Sequence, residues 1–178
     1  GYTGRADKNF FPWLKEELEN RGYNVSVPKL PNPDDPNINE QVEYVLKNCK
    51  FDENTVLLGH SLGSVVSLKI LEKLNKPIKK LITVGGFSIP SPKDRNYNKT
   101  FNWKFDFNKI RNNVNEIINL KVKNDTFVFG DRADSLKNEL GGKFIEFVAE
   151  KDHARGDEEP VVLENCLENW PIFTTRPD

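Results

Sequence analysis

Thr55-Val56-Leu57-Leu58-Gly59-His60-Ser61-Leu62-Gly63-Ser64-Val65-Val66-Ser67-Leu68-Lys69-Ile70-Leu71-Glu72-Lys73-Leu74 decides how this chain is read. Thr55 to Leu58 is a short apolar run, the pattern of a buried strand. From Ser64 to Leu74 the apolar residues recur at helical spacing. Between them stands Gly59-x-Ser61-x-Gly63. Strand, tight turn and helix around Gly-x-Ser-x-Gly form the setting of a nucleophile elbow. There the central serine is held in a strained conformation, and small residues two before and two after admit neighbouring backbone. The helix behind it directs amide dipole ends toward the serine and favours negative charge there.

Working outward, helices and strands alternate. Phe10 to Asn20 reads as a helix with Pro12 in its first turn, an inward stripe of Phe11, Leu14 and Leu18, and Gly22 as its stop. Tyr23 to Val27 reads as a strand, followed by a loop imposed by Pro28, Pro31, Pro33 and Pro36. Ile38 to Lys47 is a helix, Lys80 to Val84 a buried strand closed by Gly85-Gly86, and Phe107 to Val114 a short helix. Ile117 to Val122 is a strand leading into Lys123-Asn124-Asp125. Asp131 to Leu140 is a helix stopped by Gly141-Gly142. Phe144 to Val148 is the last strand, and Val161 to Trp170 the closing helix. This alternation predicts a mostly parallel sheet with helices on both faces, a three-layer α/β/α sandwich. One domain spans residues 1–178, with no internal repeat. Phe87 to Phe107 is long and irregular, the kind of segment that serves as a lid.

Composition narrows the function. The chain has 178 residues, 37% hydrophobic and 30% charged, as expected of a soluble globular domain. Its net charge of -1, with Lys and Arg spread evenly, argues against nucleic acid or an anionic membrane as partner. No apolar run approaches the roughly 20 residues of a membrane helix. No signal peptide is visible, and Cys49 and Cys166 form no metal or redox motif, so a reducing, cytoplasmic setting is expected. The chain begins at Gly1 and has no methionine, so it reads as trimmed from a longer translation product.

A serine hydroxyl needs a base within hydrogen-bond reach, and that base needs an acid to set its tautomer. The chain has 2 histidines. His60 adjoins Ser61, and neighbours across an elbow splay apart, which leaves it a packing or hydrogen-bonding role. His153, in the loop after the last strand, is the base by elimination. Asp125 follows the preceding strand at the same sheet edge and is the expected acid. Asp131 and Asp134 fit helix capping, and Asp152 would need an awkward turn to reach the ring of its neighbour. The order Ser61, Asp125, His153 is that of α/β-hydrolases. An oxyanion hole needs two donors, assigned to the backbone N–H groups of Leu62 and, in the Gly1-Tyr2-Thr3-Gly4 loop, Tyr2. Phe87, Trp103 and Phe105 are candidate walls for an apolar acyl group.

Gly1-Tyr2-Thr3-Gly4, Phe11-Pro12-Trp13-Leu14, Leu30-Pro31-Asn32-Pro33 and Gly59-His60-Ser61-Leu62-Gly63 occur in the order seen in small serine hydrolases. The chain thus resembles the YdeN-type esterases and the related retinoblastoma-binding-protein-type serine hydrolases. The resemblance implies an α/β-hydrolase fold, the Ser61–Asp125–His153 triad, a small acyl substrate, and no metal or organic cofactor. It also implies a central strand ending in His-Gly ahead of Tyr2, so that the first strand is expected to be missing from this sequence. Two stretches depart from the family. The family pattern Asp-x-x-Val-Pro is here Asp125-Thr126-Phe127-Val128-Phe129. Gly-His-Phe is here Asp152-His153-Ala154, where Asp152 is expected to raise the imidazole pKa and Ala154 to open space. The expected function is cleavage of a small ester through an acyl-enzyme. Transfer of the acyl group to an acceptor other than water uses the same residues. The alternative from another class is a protein-binding module, with an unidentified protein partner and a vestigial triad.

Overall fold

The computed structural model describes residues 2–90 and 101–167. Strands β1 (Val56–His60), β2 (Ile78–Val84), β3 (Val114–Val122) and β4 (Lys143–Phe147) lie side by side in that order. All three pairings are parallel, with Leu58 opposite Ile82, Ile82 opposite Ile118, and Leu120 opposite Ile145. Parallel neighbours require crossovers, and each crossover here contains a helix. Helix α3 (Leu62–Lys73) links β1 to β2, α4 (Phe107–Asn112) precedes β3, and α5 (Asp131–Leu140) links β3 to β4. Helices α1 (Phe11–Glu19) and α2 (Ile38–Asn48) come before the sheet and α6 (Pro160–Cys166) after it.

The two-residue period of the strands sorts their side chains into two cores. Val56, Leu58, Ile82, Val84, Ile118, Leu120 and Val122 pack on one face with Phe10, Leu14, Val162 and Leu163, beneath α1 and α6. Leu57, Leu81 and Ile117 face the opposite layer, against Leu68 and Leu71 of α3, Ile110 of α4 and Leu136 of α5. Helix α3 is apolar nearly all round, since it lies between the sheet and α2; Leu62, Val65, Val66, Leu68, Ile70 and Leu71 are all buried. Local chemistry sets several helix starts. The Asn37 side chain accepts from the Glu40 N–H at 3.2 Å, and the Asp106 side chain accepts from the Lys109 N–H at 3.0 Å.

Two expectations need correction. Tyr23 to Val27 is extended but joins no ladder among the described residues. Alternation of residue type makes a segment compatible with a strand, but a strand exists only where a neighbour accepts its hydrogen bonds. The closing helix ends at Cys166 rather than Trp170: Leu167 is already extended, at ψ 151°. Residues from 168 onward, including Trp170 and the tail after Pro171, lie outside the described residues, as do residues 91–100 of the expected lid. No helix among the described residues is long and apolar enough to cross a membrane.

Candidate active site

Chain direction brings the site residues to one place. In a parallel sheet every strand delivers its C-terminal end to the same edge, and the segments that follow β1, β3 and β4 carry Ser61, Asp125 and His153. Ser61 sits at φ 55°, ψ -125°, a left-handed conformation that costs a non-glycine residue about 1–3 kcal/mol. Its N–H donates to the Val84 carbonyl at 2.9 Å, tying the turn to β2. Gly59 makes the turn feasible. A Cβ there would lie 2.6 Å from the Gly63 carbonyl oxygen and 2.7 Å from Ser67 Oγ, closer than those atoms tolerate. The Ser64 hydroxyl donates to the Gly59 carbonyl at 2.9 Å and closes the elbow.

The histidine and the aspartate meet directly. His153 Nδ1–H donates to Asp125 Oδ2 at 2.7 Å, with both residues buried. The other carboxylate oxygen, Oδ1, accepts the N–H groups of Phe127 and Val128, each at 2.8 Å. Asp125 is therefore oriented by its own turn, and a charge-assisted bond fixes the imidazole tautomer that leaves the Nε2 lone pair available. Gly85 leaves room for this pair. It stands at φ 51°, and a Cβ on it would lie 3.3 Å from Asp125 Oδ2 and 3.4 Å from His153 Nδ1. In the sequence Gly85 reads only as the end of a strand.

The Asp152 carboxylate is turned toward Thr126. Its Oδ1 accepts the Thr126 N–H at 2.9 Å and its Oδ2 accepts the Thr126 hydroxyl at 2.5 Å. Those two bonds, the hydroxyl first, hold its carboxyl below the ordinary range. Asp152 thus clips the loop of Asp125 to the loop of His153. Asp134 is occupied by Lys121 at 2.7 Å, and Asp131 is the first residue of α5.

His60 ends β1 and turns toward the α1 face, where the rings of Phe10 and Phe11 meet it edge-on at 5.7 and 6.1 Å. Its Nε2–H donates to the backbone carbonyl of His153 at 2.8 Å. Burial is the main reason its imidazole titrates well below the usual histidine range.

The expected oxyanion donors and the three expected walls share one apolar cluster: Tyr2, Leu62, Phe87, Trp103 and Phe105, joined by Phe101 and Val128. Leu62 opens α3, so its N–H has no acceptor within the helix. Tyr2 packs edge-on to Phe101 at 6.3 Å, and the Thr3 N–H beside it donates to the Pro33 carbonyl. Phe87 and Trp103 are 6.2 Å apart, and the Trp103 indole N–H donates to the Ser88 carbonyl at 2.6 Å. Phe105 lies further along α3, beneath Lys69 and against Phe107. The aromatic side chain beside His153 is one that no motif in the sequence marks. Phe127 is 51% exposed, its ring stands 5.4 Å from that of His153, and the Arg155 guanidinium lies over it at 4.6 Å. Its place two residues after the expected acid was the available signal. Among the described residues no group of three His, Cys, Asp or Glu side chains converges as a metal site.

A parallel sheet between helical layers, with an elbow after β1, defines an α/β-hydrolase. Solved structures agree: the Bacillus subtilis ydeN gene product superposes with a TM-score of 0.84 at 25% identity, over 93% of this chain and 92% of that one. Est1E of Butyrivibrio proteoclasticus, solved with ferulic acid, superposes at 0.65 with 15% identity, over 93% of this chain and 83% of that one. An extracellular α/β-hydrolase from a Paenibacillus species superposes at 0.64 with 18% identity, over 86% and 88%. The chain belongs to the serine hydrolase family, which it matches over residues 1–163. In sequence it is 28% identical over 158 residues to the Bacillus subtilis hydrolase YdeN, covering 82% of this chain and 83% of that protein. It is a hydrolase of the YdeN type.

Proposed function

We propose that the protein is a serine esterase that cleaves a small ester through an acyl-enzyme. The Ser61 hydroxyl attacks the substrate carbonyl as its proton passes to His153 Nε2. The imidazolium is held by Asp125, and the new oxyanion is received by the N–H groups of Leu62 and Tyr2. Collapse expels the alcohol, which takes the proton from His153. Water, deprotonated by the same ring, then releases the acid and restores the serine. Phe87 and Trp103 line the acyl side, and Phe127 stands beside the base. The observation that carries this reading is the buried 2.7 Å bond between His153 and Asp125, at the sheet edge to which the strained Ser61 turn belongs.

The test is labelling with a fluorophosphonate, which reacts only with an activated serine. The folded protein is expected to label at one site and Ser61→Ala to lose the label. A panel of p-nitrophenyl esters then ranks acyl chain length. A folded wild-type protein that neither labels nor cleaves any of these esters would overturn the proposal and favour a binding module.

A further inference from the structure

Resting on the esterase reading, we infer that His60 is a positioning residue for His153: its Nε2–H holds the base's own backbone carbonyl and so couples base to nucleophile through a single residue. His60 is bonded in sequence to Ser61, and it is also the side chain that grips the turn carrying His153. The two residues are 93 positions apart, and their rings stand 5.0 Å from each other.

The turn needs such a grip. His153 has φ 60° and Ala154 φ 49°, two successive non-glycine residues in left-handed conformation. This strain relaxes unless something outside the turn holds it. The His153 side chain is held at one end by Asp125, but that bond sets only the direction of the ring. The position of its backbone is set by the bond from His60 to its carbonyl, the peptide between the two strained residues. That carbonyl lies in a buried turn, so losing the donor leaves an acceptor without its partner.

The environment of His60 suits one role. Phe10 and Phe11 pack edge-on against the ring, and His60 is 5% exposed. Burial keeps it neutral, with the His153 ring and the Arg155 guanidinium acting in the same direction. A neutral imidazole has one N–H, and the carbonyl of His153 requires it on Nε2. His60 is therefore a fixed donor. It touches neither substrate nor reacting atoms and is not a catalytic residue.

Two substitutions separate positioning from packing. His60→Phe keeps an aromatic ring against Phe10 and Phe11 but removes the donor. His60→Gln loses the ring but places an amide N–H near the position of Nε2. If His60 positions the base, His60→Phe lowers kcat on a p-nitrophenyl ester by roughly 10- to 100-fold with KM within about threefold, slows fluorophosphonate labelling in parallel, and His60→Gln recovers most of the rate. A merely structural ring predicts the opposite order, with His60→Phe near wild type and His60→Gln the worse. That order, or equal losses tracking the melting temperatures, overturns the inference. Long-range 1H–15N spectra of the wild-type protein provide a check that needs no variant. His60 should appear as the neutral Nε2–H tautomer, and an Nδ1–H tautomer overturns the proposal. Wild-type protein that labels normally while His60→Phe labels at the same rate sinks the His60 role alone; wild-type protein that does not label sinks the esterase reading as well.

Discussion

The elbow at Ser61 and the loop at His153 solve the same problem, holding one side chain in an unfavourable backbone conformation, by opposite means. The elbow is built from adjacent residues. It is wedged between the end of β1 and the start of α3, closed by the Ser64–Gly59 bond, and possible because Gly59 has no side chain. The loop turns at Asp152–Ala154, with His153 and Ala154 both at positive φ, and is held by distant side chains. Asp125 bonds the ring of His153, His60 its carbonyl, and Thr126 the neighbouring Asp152. Within the loop, Glu150 accepts the Asp157 N–H at 2.9 Å. The elbow is placed mainly by local backbone geometry, with the bond from the Ser61 N–H to β2 tying it to a distant strand. A base that must meet it from the far end of the sheet has to be placed by tertiary bonds, and each of them is a separate point of failure.

That contrast can be broken most severely at Asp125. Asp125→Asn keeps the volume but reverses the tautomer preference of His153, and kcat on an activated ester is expected to fall by about 10³- to 10⁴-fold. The melting temperature should move little by comparison. A loss of under tenfold would show that the base is not oriented by this bond.

In the elbow the matching change acts on stability. Gly59→Ala drives a methyl into the Gly63 backbone, and backbone cannot swing aside. Overpacking of this kind costs about 3 kcal/mol, or roughly 10 °C in melting temperature for a chain of this size. Thermal unfolding that matches wild type would mean the turn is looser than its geometry implies.

Glu159 offers a pH-dependent probe of the loop. Glu159 is 2% exposed, its Oε1 has no hydrogen-bond partner among the described residues, and burial pushes its pKa from 4.5 up to about 7. The folded state therefore holds a proton that the unfolded chain gives up near 4.5. The contribution of this group is fully present below that value and is lost as pH rises through about 7. At about 1.4 kcal/mol per unit the loss is up to about 3 kcal/mol by pH 8. Glu159→Gln should flatten the fall in melting temperature between pH 5 and pH 8. Parallel curves for the two proteins would remove Glu159 as the cause.

The mildest change is at the clip between the two loops. Thr126→Val deletes the hydroxyl bond to Asp152 but leaves the backbone one. It is expected to cost about 1 kcal/mol of stability and less than about tenfold in kcat. A loss as large as that of Asp125→Asn would promote Asp152 from clip to participant.

Much of the frame was legible before the structure. Ser61 was legible because a motif between a strand and a helix is a local pattern, and local patterns survive in sequence. His153 was legible only because there was one other histidine to set aside, and Asp125 because parallel strands deliver their ends to one edge. Tyr23 to Val27 failed for the converse reason: alternation is local, but a strand is a relation between two segments. The direction of Asp152 was not legible, because adjacency in sequence says nothing of where a side chain points; in the fold its carboxylate faces Thr126.

By itself the sequence determined most of the helices and the four paired strands, that these strands would run parallel, and which serine stands at a strand-to-helix turn. These follow from periodicity and from short-range sterics. Tertiary structure alone decided that the end of β1 would reach across to grip the turn of His153, that Gly85 would make room for the Asp125–His153 pair, and that Phe127 would stand by the His153 ring. Those are contacts between residues dozens of positions apart. Their energies depend on distance and burial, which no spacing along the chain encodes.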